Sequence, residues 1–240
     1  MSATDVSCVD CGTDFTVDLP EEGTLGYRMI AALIAREPRC DGCFGLAEKV
    51  AEEQERLSAR AARRNRSQLP NRLQGQGIER VTAKPGQQAA IDAAKQWAGA
   101  KDAGGLMLTG ETGVGKTRIA AAACWTRLEH FPCIYASVAR AMAKLGGSFT
   151  DEGRAEAVRM FSGNGAVVLD DLDKTRPTDF GLEQLFAAVD AREQAGAPLL
   201  VTTNLTPSEI GERYGEPLMS RLAGYCRAIR VEGDDWRVAR

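Results

Sequence analysis

Residues Gly110-Glu-Thr-Gly-Val-Gly-Lys-Thr117 fit the phosphate-loop pattern G-x-x-x-x-G-K-[ST]. The motif lies after an apolar strand-like run and before the Ala-rich stretch Arg118–Leu128, which is the context that the pattern requires. Its three glycines let backbone N–H groups turn toward a phosphate, and the following helix adds its positive N-terminal end. This context favours a phosphate-binding loop over a glycine-rich turn that merely contains a lysine.

The loop motif assigns roles to two polar side chains. Lys116 is expected to reach the β- and γ-phosphates of ATP, and the Thr117 hydroxyl to complete a Mg²⁺ shell. The predicted nucleotide-binding residues of this segment are Gly110, Glu111, Thr112, Gly113, Val114, Gly115, Lys116, Thr117 and Arg118.

A buried strand ending in two carboxylates, Ala166-Val-Val-Leu-Asp-Asp171, supplies the second half of an ATP site. Asp170 is placed to hold Mg²⁺ through water, as a Walker-B aspartate does. Asp171 takes the position where many ATPases carry a water-polarising glutamate, and its shorter side chain predicts slow hydrolysis. Asp173 follows in the loop, where a solvated residue is the simpler interpretation.

Thr202-Thr-Asn204 ends another apolar run. An amide at the carboxyl edge of a parallel sheet is positioned to contact the γ-phosphate or its water, because ligands of open α/β folds bind at that edge. The alternative is that Asn204 caps the turn into Thr206-Pro-Ser-Glu, a good helix start.

Strand-like and helical stretches alternate from residue 78 to 240, which predicts one α/β domain with a five-stranded parallel sheet. The strands are expected at 106–109, 133–136, 167–170, 199–203 and 228–231. Residues 46–67 lack Gly and Pro and predict a helix, and the polar stretch 67–77 reads as a linker, so that 46–77 connects the two domains. Arginines 60, 63, 64 and 66 are equally consistent with a solvated helix end and with binding of single-stranded DNA or phosphate.

Residues 1–45 carry two Cys-x-x-Cys pairs, Cys8/Cys11 and Cys40/Cys43. The pattern predicts a small module stabilised by a structural Cys₄ zinc site, because so short a segment builds little core of its own. A redox pair is the alternative, but no βαβ pattern surrounds either pair. A catalytic zinc is disfavoured, since four thiolates leave no open position and the one histidine, His130, is distant in sequence.

Composition excludes several classes of protein. The 240 residues are 44% apolar and 26% charged with a net charge of −3, which argues against disorder, a fibre, or an overall attraction to DNA or membranes. There is no apolar run of membrane-spanning length and no signal peptide at the start, so we expect a cytoplasmic protein without a membrane partner.

Together the loop at 110–117, Leu-Asp-Asp at 169–171, Thr-Thr-Asn at 202–204 and Met-Ser-Arg-Leu at 219–222 resemble an AAA+ ATPase. More narrowly, residues 78–240 are similar to DnaC-type helicase loaders and to their relatives, the IstB-type transposition helper ATPases. The loader branch lacks the helical lid of other AAA+ proteins, and the nine residues after Val231 are expected to leave no room for one.

The resemblance implies further residues and partners. Arg221 would be an arginine finger that reaches a neighbouring subunit's ATP site, with Arg213 and Arg227 as competitors, and Arg237 would sense phosphate. It also implies self-association through the ATP sites, a DnaB-type replicative helicase as partner, and single-stranded DNA near Lys144 and residues 138–160.

The sequence therefore predicts an ATPase using ATP, Mg²⁺ and Zn²⁺ that loads a replicative helicase onto single-stranded DNA. The nearest rival is a transposition helper that acts on duplex DNA with a transposase. A small-molecule P-loop kinase fits less well, because residues 171–198 read as a loop and one helix rather than an arginine-rich lid. An adaptor that binds ATP with negligible hydrolysis is the third alternative.

Overall fold

The computed structural model describes residues 2–19, 21–22, 24, 38–141, 163, 165–174 and 179–235. The chain forms two compact units, Met1–Ala59 and Arg60–Arg240. Their boundary falls inside a single helix rather than at either end of the predicted connector. The domain limits at residues 45 and 77 therefore remain predictions. No helix in the described ranges is both long enough and apolar enough to cross a bilayer.

The first unit contains an antiparallel hairpin of β1 (Ser2–Ser7) and β2 (Asp14–Leu19). Helix α1 (Asp41–Arg66) begins in this unit, five residues before the helix start predicted from the sequence. The earlier start places Cys43 in the first turn of α1, with Cys40 directly before it. The second cysteine pair is thus held by a helix N-terminus instead of a free turn.

The second unit is an α/β AAA+ domain with a five-stranded parallel sheet in the order β4-β5-β6-β3-β7. Its strands are β3 (Gly105–Thr109), β4 (Cys133–Ser137), β5 (Ala166–Asp170), β6 (Leu199–Thr203) and β7 (Cys226–Arg230). Its helices are α2 (Gln88–Gly99), α3 (Lys116–Arg127), α4 (Asp179–Ala195), α5 (Pro207–Tyr214) and α6 (Glu216–Tyr225). All five predicted strands are confirmed, with ends that differ by at most two residues.

Side chains alternate between the two faces of this sheet. Leu106 and Leu108 pack in the core under α2 and α3, while Met107 between them packs in the core under α4, α5 and α6. Burial on both faces explains why the strands are continuous apolar runs. Because the strands are parallel, their carboxyl ends share one edge, and the candidate site lies there.

The segment expected to be a linker, residues 67–77, is packed within the second unit. Ser67 and Leu69 are buried, and the Ser67 carbonyl accepts a hydrogen bond of 2.7 Å from the Tyr135 backbone N–H on the edge strand β4. Two 3₁₀ turns follow, at Asn71–Leu73 and Ile78–Arg80, and Ile78 is fully buried. The polar composition indicated a flexible tether, but the few apolar residues of the segment anchor it locally.

Candidate functional site

The phosphate loop connects β3 to α3, and its backbone conformation requires glycine. Gly110 has a φ of 138° and Gly113 a φ of 91°, values that side chains disfavour. A Cβ atom on Gly110 would also lie 2.2 Å from the Val231 carbonyl oxygen, because the chain leaving β7 passes directly over the loop. The close approach of this second segment is a constraint that the motif itself does not reveal.

Lys116 is 5% exposed and its ammonium group is enclosed by acceptors. It donates hydrogen bonds to the carbonyl oxygens of Gly110 (2.8 Å) and Glu111 (2.7 Å) and to Asn204 Oδ1. Hydrogen bonds to charged groups contribute about 1.5–3 kcal/mol each, so the buried charge is stabilised without a nucleotide. These acceptors use the N–H donors of Lys116 that a β- or γ-phosphate would use.

Asp170 at the end of β5 is 4% exposed and accepts three hydroxyl hydrogen bonds. Thr117 (3.0 Å) and Thr202 (2.7 Å) donate to Oδ1, and Tyr135 (2.6 Å) donates to Oδ2. Burial raises the pKa of Asp170 above its usual range, while the hydrogen bonds from Tyr135 and Thr202 oppose that rise. The carboxylate and the Thr117 hydroxyl form an oxygen donor pair of the kind that Mg²⁺ prefers.

Asp171 follows in a left-handed conformation, with a φ of 60°. Its backbone N–H donates to Thr202 Oγ1 at 2.9 Å, and its carboxylate forms an ion pair with Lys174. A non-glycine residue in this region is uncommon and turns the chain sharply at the sheet edge. The carboxylate predicted to polarise water is thus at the site but engaged by a neighbouring lysine.

Asn204 links two of these groups. Its Oδ1 faces Lys116, while its side-chain and backbone N–H groups donate to Asp173 at 2.7 and 3.1 Å. Asp173 is therefore part of the network, although the sequence favoured a solvated loop residue. The helix cap is Thr206, which forms a reciprocal capping box with Glu209, so that capping does not require Asn204.

The predicted arginines are less well placed at the edge. Arg221 forms ion pairs with Asp190 (2.9 Å) and Glu193 (3.2 Å) on α4 of the same chain. In the described part of the chain, Arg213 and Arg227 have no recorded ion pair, and Arg118 is exposed at the start of α3. The finger role of Arg221 stays a prediction. Arg237 and Lys144 lie outside the described residues, as do 142–160 of the predicted DNA-binding segment.

Four residues of the site escaped the sequence analysis. Tyr135 and Thr202 lie in the interior of apolar strands, where they look like ordinary β-formers. Gln87, which is 5% exposed, donates to the Val114 carbonyl at 2.8 Å and so fixes the phosphate loop from outside the motif. Asp235 approaches the loop so closely that a Cβ on Gly113 would lie 2.0 Å from its Oδ1. Tyr135 packs in the same core as Cys133, two residues earlier on β4, so the strand pattern alone gives no signal for its hydroxyl.

The four paired cysteines form a separate cluster in the first unit. The sulfur atoms of Cys8, Cys11, Cys40 and Cys43 all lie within 4.8 Å of one another, and Cys11 Sγ is 3.7 Å from Cys40 Sγ. A tetrahedral zinc with Zn–S bonds of about 2.3 Å places its sulfurs about 3.8 Å apart. A backbone N–H hydrogen bond from Cys40 is the main cause that lowers the pKa of Cys8 to about 6, which favours the thiolate form. The donor set fits a structural zinc ion.

Comparisons with known proteins place this architecture among nucleotide-binding families. A sequence profile of the IstB-like ATP binding proteins matches residues 46–240. An ATP-binding protein in an insertion sequence of Mycobacterium tuberculosis is 25% identical over 151 residues, which are 60% of this chain and 59% of that protein. The match thus spans about three fifths of that relative's length.

Solved structures share the fold at low identity. The DnaC helicase loader superposes with a TM-score of 0.59 at 18% identity over 68% of this chain and 100% of that one. DnaI gives 0.61 at 19% identity over 69% and 95%. AMPPCP-bound DnaA from Aquifex aeolicus gives 0.60 at 16% identity over 66% of this chain, but only 50% of DnaA is covered. Such identities support the fold alone.

Replacing Asp170 by Asn should separate metal binding from stability. Burial raises the pKa of this carboxyl, so its ionised form costs the fold stability wherever the pH lies above the raised pKa. We expect D170N to lose the Mg²⁺ dependence of ATP binding while raising the melting temperature of the nucleotide-free protein. Isothermal titration with and without Mg²⁺, together with thermal melts, checks both effects. A lower melting temperature would contradict the inferred cost of the charge.

Tyr135→Phe removes the hydroxyl that holds Asp170 Oδ2 and keeps the ring. Removing a group that orients a metal ligand typically costs about 10–100-fold in metal affinity, so the Mg²⁺ concentration for half-maximal ATP binding should rise by about 10-fold. Tyr214→Phe is the matched control, because Tyr214 is equally buried but donates to the Leu172 backbone carbonyl. Equal Mg²⁺ dependence in the two variants would show that Tyr135 does not position Asp170.

Proposed function

Because the chain belongs to the IstB-like ATP binding proteins, we propose that it is an ATP-dependent helper ATPase that assembles on duplex DNA and recruits a transposase. One observation carries the proposal: Lys116, Asp170 and Asn204 meet at one edge of the sheet in a chain whose residues 46–240 match that family. The relative in an insertion sequence supports the same reading. A helicase loader, which resembles this chain in its ATPase fold, is the second candidate.

The residues of the site divide the work of binding and hydrolysis. Lys116 and the loop backbone would bind the phosphates, and Thr117 with Asp170 would hold the Mg²⁺, which neutralises phosphate charge when bound. Asp171 would accept the proton of the attacking water once Lys174 releases it. A γ-phosphate that binds Lys116 would break the hydrogen bond between Lys116 and Asn204, so the contacts of Asn204 would depend on whether a γ-phosphate is bound. Hydrolysis is expected to be slow, because Asp171 is both short and engaged.

Completion of the site by a neighbouring copy is part of the proposal. An arginine supplied in trans is worth roughly 10³–10⁵ in rate in related phosphoryl transfer. Arg221 can serve only if it leaves Asp190 and Glu193, whereas Arg213 and Arg227 have no such ion pairs to break among the described residues. Self-association through the ATP sites would make this exchange conditional on assembly.

The helper function can be tested by measuring assembly on DNA. With a non-hydrolysable ATP analogue and Mg²⁺, we expect the protein to form larger complexes on linear duplex DNA than on single strands of equal length. Sedimentation and fluorescence anisotropy report size and affinity. Lys116→Ala should lose the dependence on nucleotide, because no other buried ammonium group in the described part of the chain faces the phosphate loop.

Three outcomes would redirect the assignment. Nucleotide-dependent binding to single strands alone would favour the DnaC-type loader, and capture of a replicative DnaB-type helicase would strengthen that reading. Binding of ATP without hydrolysis or DNA would favour an adaptor. The loader has one specific observation in its favour, the Cys₄ unit, because all four of its cysteines and most of its residues precede the region matched by the family profile.

We propose further that the Cys₄ cluster binds Zn²⁺ as a structural ion. Structural zinc supplies apparent folding energies on the order of 10–16 kcal/mol in small modules, more than a unit with one buried cysteine and an exposed Phe44 gains from burial. Four thiolate ligands complete the coordination, so the ion would have no catalytic position.

Cys8→Ser should unfold the first unit and leave ATP binding intact, because the phosphate loop lies in the second unit. Metal analysis should find about one zinc per chain in the parent protein, since four thiolates make one site. Cys124→Ser is the control for cysteine loss, as Cys124 is buried in the ATPase core and should not affect zinc content. Less than half an equivalent of zinc in protein purified without chelators would rule the site out.

A further inference from the structure

A strongly basic segment follows the acidic part of α1. Residues 60–80 contain six arginines and one acidic residue, Glu79, whereas residues 1–59 contain twelve acidic and five basic residues. The basic segment belongs entirely to the second unit. The overall charge of −3 therefore conceals two regions of opposite sign.

Three of the arginines fasten the end of α1 to the C-terminal end of α3. Arg60 (2.9 Å) and Arg64 form ion pairs with Glu129, and Arg63 donates to the Leu128 carbonyl at 2.9 Å. The Arg64 guanidinium also lies 4.1 Å from the centroid of the Trp125 ring. Glu129 balances only one of these charges, so the anchored end of the helix stays positive.

The other three, Arg66, Arg72 and Arg80, are exposed. None of their guanidinium groups has a recorded ion pair or hydrogen bond to a described residue. They lie at the end of α1 and in the two 3₁₀ turns that pack against α3. Arg64 and Arg80 line a cavity of about 540 Å³ together with Trp125 and His130. Arginines that form ion pairs and arginines that form none thus lie around the same open surface.

We infer that residues 60–80 form a second DNA-contacting surface, which binds the phosphodiester backbone of duplex DNA. The inference deepens the proposed function and rests on it, since it adds a site to a DNA-bound ATPase. Helix α3 has twelve residues and is about 18 Å long, so this surface lies one helix length from the phosphate loop. DNA held there would leave the nucleotide site open.

The chemistry of the surface favours nucleic acid over protein. Protein interfaces are centred on buried apolar anchors. The large apolar side chains found exposed in the described residues are Val9, Phe44, Val50 and Leu57, and all four precede residue 60. Arginines with no large exposed apolar side chain in the same described segment instead match a phosphate backbone, which supplies charge and hydrogen-bond acceptors.

The same surface favours duplex over single-stranded DNA. Single-strand binding relies on aromatic faces on which bases stack. Trp125 is the large aromatic ring of the cavity, and Arg64 covers one of its faces. Contact is therefore limited to the backbone, which a duplex presents without unpairing.

The test is the salt dependence of duplex binding by the full-length protein with a non-hydrolysable ATP analogue. The slope of log K against log[salt] is negative, and each lost phosphate contact reduces its magnitude by about 0.9. R66Q/R72Q/R80Q should therefore reduce the magnitude by about 2.7, equally on duplexes of unrelated sequence. The matched control K49Q/K95Q/K101Q removes the same charge from exposed positions outside residues 60–80. The control should keep the parent slope.

Each result decides the inference. Slopes that are the same for the two triple variants overturn it, and if the parent still assembles on duplex DNA the proposed function survives. A parent protein that binds no duplex DNA overturns both. A loss confined to single-stranded DNA, or to capture of an acidic N-terminal unit from a second copy, assigns the surface to that ligand instead. ATP binding and the melting temperature should be unchanged; if the triple variant melts early, each single variant should reduce the magnitude of the slope by about 0.9.

Discussion

The buried carboxylate of Asp170 constrains the whole edge of the sheet. Its two oxygens accept hydrogen bonds from side chains on the phosphate-loop helix and on strands β4 and β6. An isolated buried charge costs several kcal/mol, so the three hydroxyl donors must arrive together. They can do so only if β4, β5 and β6 are adjacent and parallel. The strand order thus places the donors that make this buried charge tolerable.

The phosphate loop, the strand positions and the acidic end of β5 could be predicted because each is encoded in a short stretch of sequence. Glycine spacing fixes the loop, and apolar runs bounded by polar residues fix the strands. The lateral order of strands depends on long-range packing, which no local pattern carries. Tyr135 illustrates the limit: its hydroxyl matters only because Asp170 lies on the neighbouring strand.

Two segments differ from the structure that their sequence predicts for another reason. The segment at 67–77 is polar in composition, yet Leu69 is 4% exposed and Ser67 1% exposed. Burial of these two residues outweighs the polar average composition of the segment. Helix α1 begins at Asp41 despite Gly42 and Gly45, residues that locally disfavour a helix. The convergence of Cys40 and Cys43 with the first cysteine pair fixes this turn, which is a tertiary constraint that overrides propensity.

Lys116, Asp171 and Asp173 each have a protein partner in the site. Lys116 holds Asn204, Asn204 holds Asp173, and Lys174 holds Asp171. A triphosphate offers Lys116 a stronger acceptor than an amide, because its oxygens are negatively charged and also attract the ammonium group electrostatically. Taking Lys116 would free the Asn204 oxygen while leaving its bonds to Asp173. Asp171 and Lys174 flank Asp173 in the same loop. A phosphate bound to Lys116 would therefore act, through Asn204 and Asp173, on the loop that carries the water-activating Asp171.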